Sequence, residues 1–418
     1  MDKKRDWRKL LGFSYSCFIV VSLICLFVMT GKDLGQTDPN SKIYADFVGY
    51  YRSGKMVLSE DRNKIYDREI QLKYFNELGA AQQSDQFIYS QNPPFFFLML
   101  APFASIPLSI SFKIWIALSI VLPATAIHFL MKELHQTKWN TNMIFVLAAL
   151  LSVPGWICVF VGQMSWFVAL FFTLFCLGFI KKNDVLTGIA LSLITSKFQY
   201  VFVLGIPVLA SRRWRAIAWA AGTELILLAV SALILGPENV ITYPKLLFSA
   251  ETTKDYIGVF PEHMISLRGV LSLFLNTHQA LVISSLLMFA GLIPLFIFWF
   301  KTSRNEAAEN SAWALSITIC AALLLSAHTH IYDDVLLLVV AALTLPFFWK
   351  SIEYKGAAGT VWQTILYAFP AASWVIFIVC GNVELIKRTP FALINLILVI
   401  AGLMIWTRVV GRNLVPPI

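Results

Sequence analysis

The chain predicts an all-α polytopic membrane protein of about 12 transmembrane helices, and three observations carry that expectation. Of its 418 residues, 58% are hydrophobic and only 14% are charged, with a mean hydropathy of +0.71. Soluble domains carry roughly 25% charged residues, so this much apolar surface calls for a lipid solvent. Apolar runs recur along the whole length, each bounded by charges, Pro or Gly. The surplus Lys and Arg fall in short connections between those runs, where they orient a membrane chain. The net charge of +9 is therefore read as a topology signal and not as a nucleic-acid footprint. One membrane domain is expected over 1–418, with long outer loops at 31–92 and 237–277.

The elements follow in order. Lys3, Lys4, Arg5, Arg8 and Lys9 precede an apolar run at 11–30 without a small-residue cleavage pattern, which predicts a retained first span with its N-terminus inside. Residues 94–108 read as a half-buried segment leading into a span at 110–131. Further spans are expected at 141–161, 164–180, 184–197, 198–211, 214–236, 278–300, 312–328, 331–348, 361–380 and 390–407. Lys132, Lys181, Arg212, Arg213, Arg215, Lys301, Lys350 and Arg408 then share the inner side. The segments 184–197 and 198–211 have about 14 residues each, below the ~17 needed to cross upright. Basic clusters at both ends favour a hairpin that dips towards the outer face, with one long helix as the alternative.

The outer loops also carry order. Ile70, Tyr74, Phe75 and Leu78 recur at helical spacing opposite Arg68, Lys73 and Glu77, which reads as a helix on the membrane surface. Residues 267–275, with Arg268 near the start, read similarly. Cys17, Cys25, Cys158, Cys176 and Cys320 lie inside apolar runs and Cys380 ends one, with neither CxxC nor Cys/His metal spacing. No disulfide framework, zinc site or other metal is indicated.

Under this topology Asp46, Gln163, Lys197, Glu262, His263, Arg268, His328, His330 and Asp333 all face the outer side. Ionisable groups in or beside apolar segments are costly and mark functional sites. One acid amid cations and imidazoles suits glycosyl transfer from a lipid-linked sugar phosphate. Lys, Arg and His hold the phosphate as charge grows on its bridging oxygen, while a carboxylate takes the proton of the acceptor hydroxyl. Asp46, flanked by Tyr50, Tyr51 and Arg52, is the candidate base. A single base suffices for inversion at the anomeric carbon. Two His at 328 and 330 beside Asp333 are also conceivable metal ligands, though phosphate or sugar contact suits them better.

The chain resembles glycosyltransferase family 87 at Asp46-Phe47-x-x-Tyr50-Tyr51, Ile65-Tyr66-Asp67, Asn92-Pro93-Pro94 and Pro102-x-x-x-x-Pro107. Further matches are Gly162-Gln163, Lys197, Arg212-Arg213-Trp214-Arg215, Ser266-x-x-Gly269, and His328 through Tyr332-Asp333. The family commonly has Tyr-Pro-Pro where this chain has Asn92-Pro93-Pro94, Lys-Pro for Lys197-Phe198, Asn for Ser165, and Ser-Pro for Ser326-Ala327. The resemblance implies the GT-C fold, a helix bundle whose outer loops enclose the site. It implies a polyprenyl-phosphate sugar donor, mannose first among the sugars, and a glycolipid or cell-envelope glycan acceptor. Asp46 would be the base, with Lys197, Arg268, His328 and His330 near the donor phosphate. Tyr50, Tyr51, Gln163, Glu262, His263 and Asp333 would surround sugar and acceptor. No cofactor is expected, and the implied location is a bacterial plasma membrane with the site on its outer face. A secondary transporter, or a lipid-linked glycan flippase or polymerase, is the alternative class. Against the transporter stands the lack of an internal repeat, which such folds tend to carry.

Overall fold

The computed structural model describes residues 45–78, 89–135, 139–252, 261–303, 307–350, 356–380 and 389–410. The expected first span at 11–30 lies outside them. Helix is the regular structure throughout, and no strand occurs among the described residues. Eight helical segments there are long and apolar enough to cross a membrane. The chain is an all-α polytopic membrane protein.

The first outer segment is helical and packed. Helices α1 (Ala45–Val57) and α2 (Arg68–Glu77) lead to the apolar α3 (Pro94–Ala104) and then to the span α4 (Leu108–His135). Expectation and structure agree that α3 is too short to cross and leads into α4. The helix expected on the membrane surface at 70–78 is present, and its Ile70, Tyr74 and Phe75 pack, partly buried, on Met56, Ile65 and Phe97 of a second core. Burial of Gln71 on the same helix needs polar partners, which it finds. It donates to the Ile65 carbonyl at 2.8 Å and accepts from the Ser90 amide at 2.9 Å, and Arg52 donates to Ser90 Oγ at 3.0 Å.

The expected single span at 141–161 is two helices, α5 (Trp139–Leu150) and α6 (Val153–Val161). Ser152 caps α6 by accepting from the Gly155 amide, and Pro154 sits in its first turn, so the backbone restarts there. Trp374 Nε1 donates to the freed Leu151 carbonyl at 2.7 Å. Helix α7 (Ser165–Ile180) then crosses to the opposite end.

Residues 184–210 decide the architecture. Helix α8 (Asp184–Leu193), a 3-10 stretch (Ile194–Tyr200) and helix α9 (Val201–Ala210) run without a loop, yet Lys197 has φ −125° and ψ 75°, outside helical space. A straight 27-residue helix would separate its ends by about 40 Å. Instead Arg213 Nε lies 2.7 Å from Asp184 Oδ1, so both ends of the segment meet. The segment is the expected hairpin, with Lys197 at its tip, and it contributes no net crossing. At the same end Lys181 Nζ lies 2.8 Å from Glu133 Oε2, Arg213 sits over Phe179 and Arg212 over Phe300. The basic turns thus gather on one side, as the charge pattern requires.

Helix α10 (Trp214–Leu235) crosses again, and α11 (Pro237–Thr252) occupies the start of the expected loop 237–277. Helix α12 (Leu267–Leu271) is shorter than the helix expected at 267–275, and Arg268 on it is fully buried instead of lying at a membrane surface. Four long helices complete the bundle: α13 (Thr277–Thr302), α14 (Ala308–Leu325), α16 (Ala357–Cys380) and α17 (Thr389–Ile405). Between α14 and α16, a 3-10 turn (Ile331–Leu336) runs into α15 (Leu337–Lys350), which is buried on nearly all sides.

The hairpin rests on α10 at Gly188, where a Cβ would lie 2.4 Å from the Ala216 carbonyl oxygen. A Gly188→Val side chain meets backbone there and has no rotamer that escapes it. We expect a loss of about 1–3 kcal/mol in detergent-based thermal unfolding. Wild-type stability in that variant would reject the close α8–α10 contact.

Candidate functional site

Three chain breaks converge at the end of the bundle opposite the basic turns: the α6–α7 turn, the tip of the hairpin, and the segment between α14 and α15. Each break leaves backbone and side chains unable to continue a helix, and each carries a polar residue into one cavity of about 340 Å³.

Gly162 ends α6 at φ +72°, in the left-handed region, and a Cβ there would lie 2.5 Å from Phe47 Cβ. The turn delivers Gln163 to α1. Gln163 Oε1 accepts from Tyr50 and from the Met164 amide, which fixes the amide orientation. Its Nε2 donates to Asp46 Oδ2 at 3.1 Å. Burial pushes the Asp46 carboxyl up to about 6, opposed by the charge of Lys197 and the hydrogen bond from Gln163. Burial, with Asp46 beside it, pushes the Tyr50 phenol well above its ordinary range, so it stays a neutral donor. Asp46 is thus an acid poised to hold or release a proton near neutral pH.

At the hairpin tip Lys197 Nζ donates to Asp333 Oδ1 and, at 2.8 Å, to Ser165 Oγ. Ser165 in turn donates to Asp333 Oδ1 at 2.7 Å. The ring of Tyr332 lies 4.8 Å from Nζ. Asp333 Oδ2 accepts from the His330 amide at 3.1 Å, which caps the 3-10 turn. Its neighbour Asp334 points into the bundle and accepts from Asn395 Nδ2 at 2.9 Å. His328 and His330 bring their Nε2 atoms within 3.2 Å, so one ring donates to the other. Gln199 Nε2 holds the His328 carbonyl at 2.8 Å. The second outer loop is tied on by the Ile265 amide, which donates to the Thr329 carbonyl at 2.8 Å.

Of the residues singled out from the sequence, Asp46, Tyr50, Gln163, Lys197, His263, His328 and His330 line the cavity. Tyr51 turns away and donates to the Ile106 carbonyl at 2.8 Å. Arg268 is buried beneath the wall, donating to the Ala327 carbonyl at 3.2 Å, where it fastens α12 to the α14 end. Asp333 is also off the wall; its work is to hold Lys197. The side chain of Glu262 lies outside the described residues. Among the described residues no three His, Cys, Asp or Glu side chains converge as a metal-holding group.

The wall also contains residues not assigned to the site from the sequence. Ser196 and Gln199 flank Lys197, Asn92 opens α3, Tyr332 precedes Asp333, and Tyr243 comes from α11. Asn92 and Tyr332 belong to motifs quoted from the sequence, and Ser196 and Gln199 lie within two residues of Lys197, which was their signal. Tyr243 gave none, because its place follows from stacking on Tyr66 at 5.8 Å between ring centres.

The Lys197–Asp333 pair should behave as a unit. Asp333→Asn leaves a largely buried lysine without its counter-charge, at a cost of about 3 kcal/mol. Adding Lys197→Met should restore much of that stability, measured by a thermal double-mutant cycle. Additive losses would show that the two do not interact.

The cavity joins an acid, a lysine and imidazoles at one end of a membrane bundle. No curated protein matches the chain. The sequence profile of glycosyltransferase family 87 matches residues 89–327, a stretch that holds Gln163, Lys197, His263 and Arg268 and begins after Asp46. With more than half its length matched, this integral membrane protein belongs to glycosyltransferase family 87.

Proposed function

We propose that the cavity transfers a hexose or pentose, mannose foremost, from a polyprenyl-phosphate sugar to a glycolipid or cell-envelope glycan acceptor, with inversion. The observation that carries the reading is the placement of Asp46 and Lys197 on one cavity wall set, with the acid held by Gln163 and the cation by Asp333. The acceptor hydroxyl attacks the anomeric carbon as Asp46 takes its proton. The bond from that carbon to the phosphate oxygen breaks, and its electron pair leaves with the polyprenyl phosphate. Lys197 and the imidazoles of His328 and His330 offset the negative charge growing on that oxygen. A phosphate leaves without protonation, so one carboxylate is enough. Sugar hydroxyls find Asn92, Gln199 and Tyr332 on the same wall. A cavity of about 340 Å³ suits one or two sugar rings with a phosphate, while the polyprenyl chain stays in lipid. The site would face the outer side of a bacterial plasma membrane, opposite the basic turns.

The purified protein in nanodiscs, offered a panel of polyprenyl-phosphate sugars, should transfer or slowly hydrolyse at least one, read by mass spectrometry. Asp46→Asn should lower turnover by roughly 10²–10⁴ while donor binding persists. Turnover at the wild-type rate would remove Asp46 as the base. Because the base must be ionised, kcat/KM should fall as pH drops through about 6. A profile flat from pH 5 to 8 would contradict that role.

A further inference from the structure

Asn92 stands where a side-chain amide ordinarily caps a helix, yet it caps nothing. Asparagine before a helix accepts from the backbone amides of the first turn. Here Pro93 occupies the N-cap and Pro94 opens α3, and no side chain caps that helix. Neither proline has an amide hydrogen to give. The main chain of Asn92 is nonetheless held firmly. Its carbonyl accepts from Tyr66 Oη at 2.6 Å, and both prolines are buried behind it.

The Asn92 side chain is half-buried and lines the site cavity. Its one hydrogen bond among the described residues runs from Nδ2 to Met164 Sδ at 3.5 Å. A thioether is a weak acceptor and no donor, so this contact also decides which end of the amide is nitrogen. Asn92 therefore keeps Oδ1 and a second N–H for the cavity, an acceptor and a donor side by side on a fixed backbone.

Its neighbours say which substrate this amide meets. The backbone amide of Met164 donates to Gln163 Oε1, and Gln163 holds Asp46. Asn92 thus belongs to the acid's side of the cavity, where the acceptor hydroxyl must arrive. Tyr66 ties an aromatic ring to the same block, since it donates to the Asn92 carbonyl and stacks on Tyr243, which lines the cavity. Tyr89 braces Tyr66 by donating to its carbonyl. An aromatic ring beside a paired donor and acceptor suits a pyranose, which has an apolar C–H face and adjacent hydroxyls that each donate and accept. A lipid alcohol with a single hydroxyl leaves half of the amide unmatched, and a site built to hydrogen-bond a hydroxyl discriminates against its absence. We propose that Asn92 is the specificity-determining residue for the acceptor, its amide bridging two neighbouring hydroxyls of the acceptor's sugar with Tyr243 against the ring. A further hydroxyl of that sugar then meets Asp46. The inference rests on the transfer reading of the cavity and adds how the acceptor is recognised.

Asn92→Ala removes the amide, and because that side chain makes no strong bond to the scaffold, the variant should melt as wild type does. Asn92→Leu, of similar size without polar atoms, serves as a second variant. Methyl glycosides of mannose, glucose and galactose, with butanol as control, are titrated against protein in nanodiscs without donor and followed by saturation-transfer NMR. Wild type should bind at least one glycoside and not butanol. Both variants should bind that glycoside about 10-fold more weakly, the loss of one or two neutral hydrogen bonds. With a donor that turns over, the acceptor KM should rise by a similar factor and the donor KM by much less. Equal glycoside affinity in wild type and variants, or a donor KM that rises as far as the acceptor's, would overturn the assignment. So would a wild type that binds none of the glycosides, or binds butanol as tightly. If no donor turns over while glycoside binding still depends on Asn92, the transfer reading fails and the sugar subsite stands.

Discussion

The candidate site depends on one ion pair between distant parts of the chain, Lys197 and Asp333. Each partner stands at a place where a helix cannot continue, and each is costly to bury alone. Together they fix the tip of the hairpin against the 3-10 turn that opens α15, and Ser165 completes the junction from the start of α7. Their contact sets the wall against which Tyr332, His330 and His328 are arranged. Asp46 then stands as the acid not neutralised by a cation contact, held by an amide. That difference separates an acid that anchors structure from an acid free to exchange a proton.

Consecutive residues divide the same way. Asp333 turns to Lys197 and Ser165 behind the cavity wall and Asp334 to Asn395 inside the bundle, so one 3-10 turn ties two parts of the scaffold. The first outer segment follows the same economy. Its polar cluster of Arg52, Gln71 and Ser90 satisfies buried groups with one another, and the apolar residues around it hold α1 in place. Gln163 reaches Asp46 only because α1 is packed so closely to the left-handed turn at Gly162.

The bundle and the gathering of its basic turns at one end were legible in the chain because hydropathy and cation placement act locally. The hairpin was legible too, since two halves too short to cross lay between basic turns. What escaped was whatever depended on partners far away in sequence. The break at Leu151 and Ser152 is hidden inside an apolar run of ordinary span length. Gln71 lies on an amphipathic helix whose buried side faces protein, a distinction that periodicity alone does not make. For the site, residue type predicted presence in the neighbourhood better than it predicted role. Tyr51, Arg268 and Asp333 sit close to the cavity, yet their side chains spend their hydrogen bonds on the scaffold. A charged side chain needs its partner located before its duty can be read.

The separation of 136 residues between Lys197 and Asp333 also bears on how the protein is made. At about 5–20 residues per second, roughly 7–27 seconds elapse between synthesis of the lysine and of its acid. For that interval the hairpin has no counter-charge at its tip, and neither half is long enough to be stably threaded through a bilayer. It is therefore a late-maturing element, seated only after α15 has entered the bundle. The geometry on which the candidate site depends is completed late in synthesis, so a nascent chain truncated before Asp333 would hold the helices up to α14 but not the Lys197–Asp333 junction.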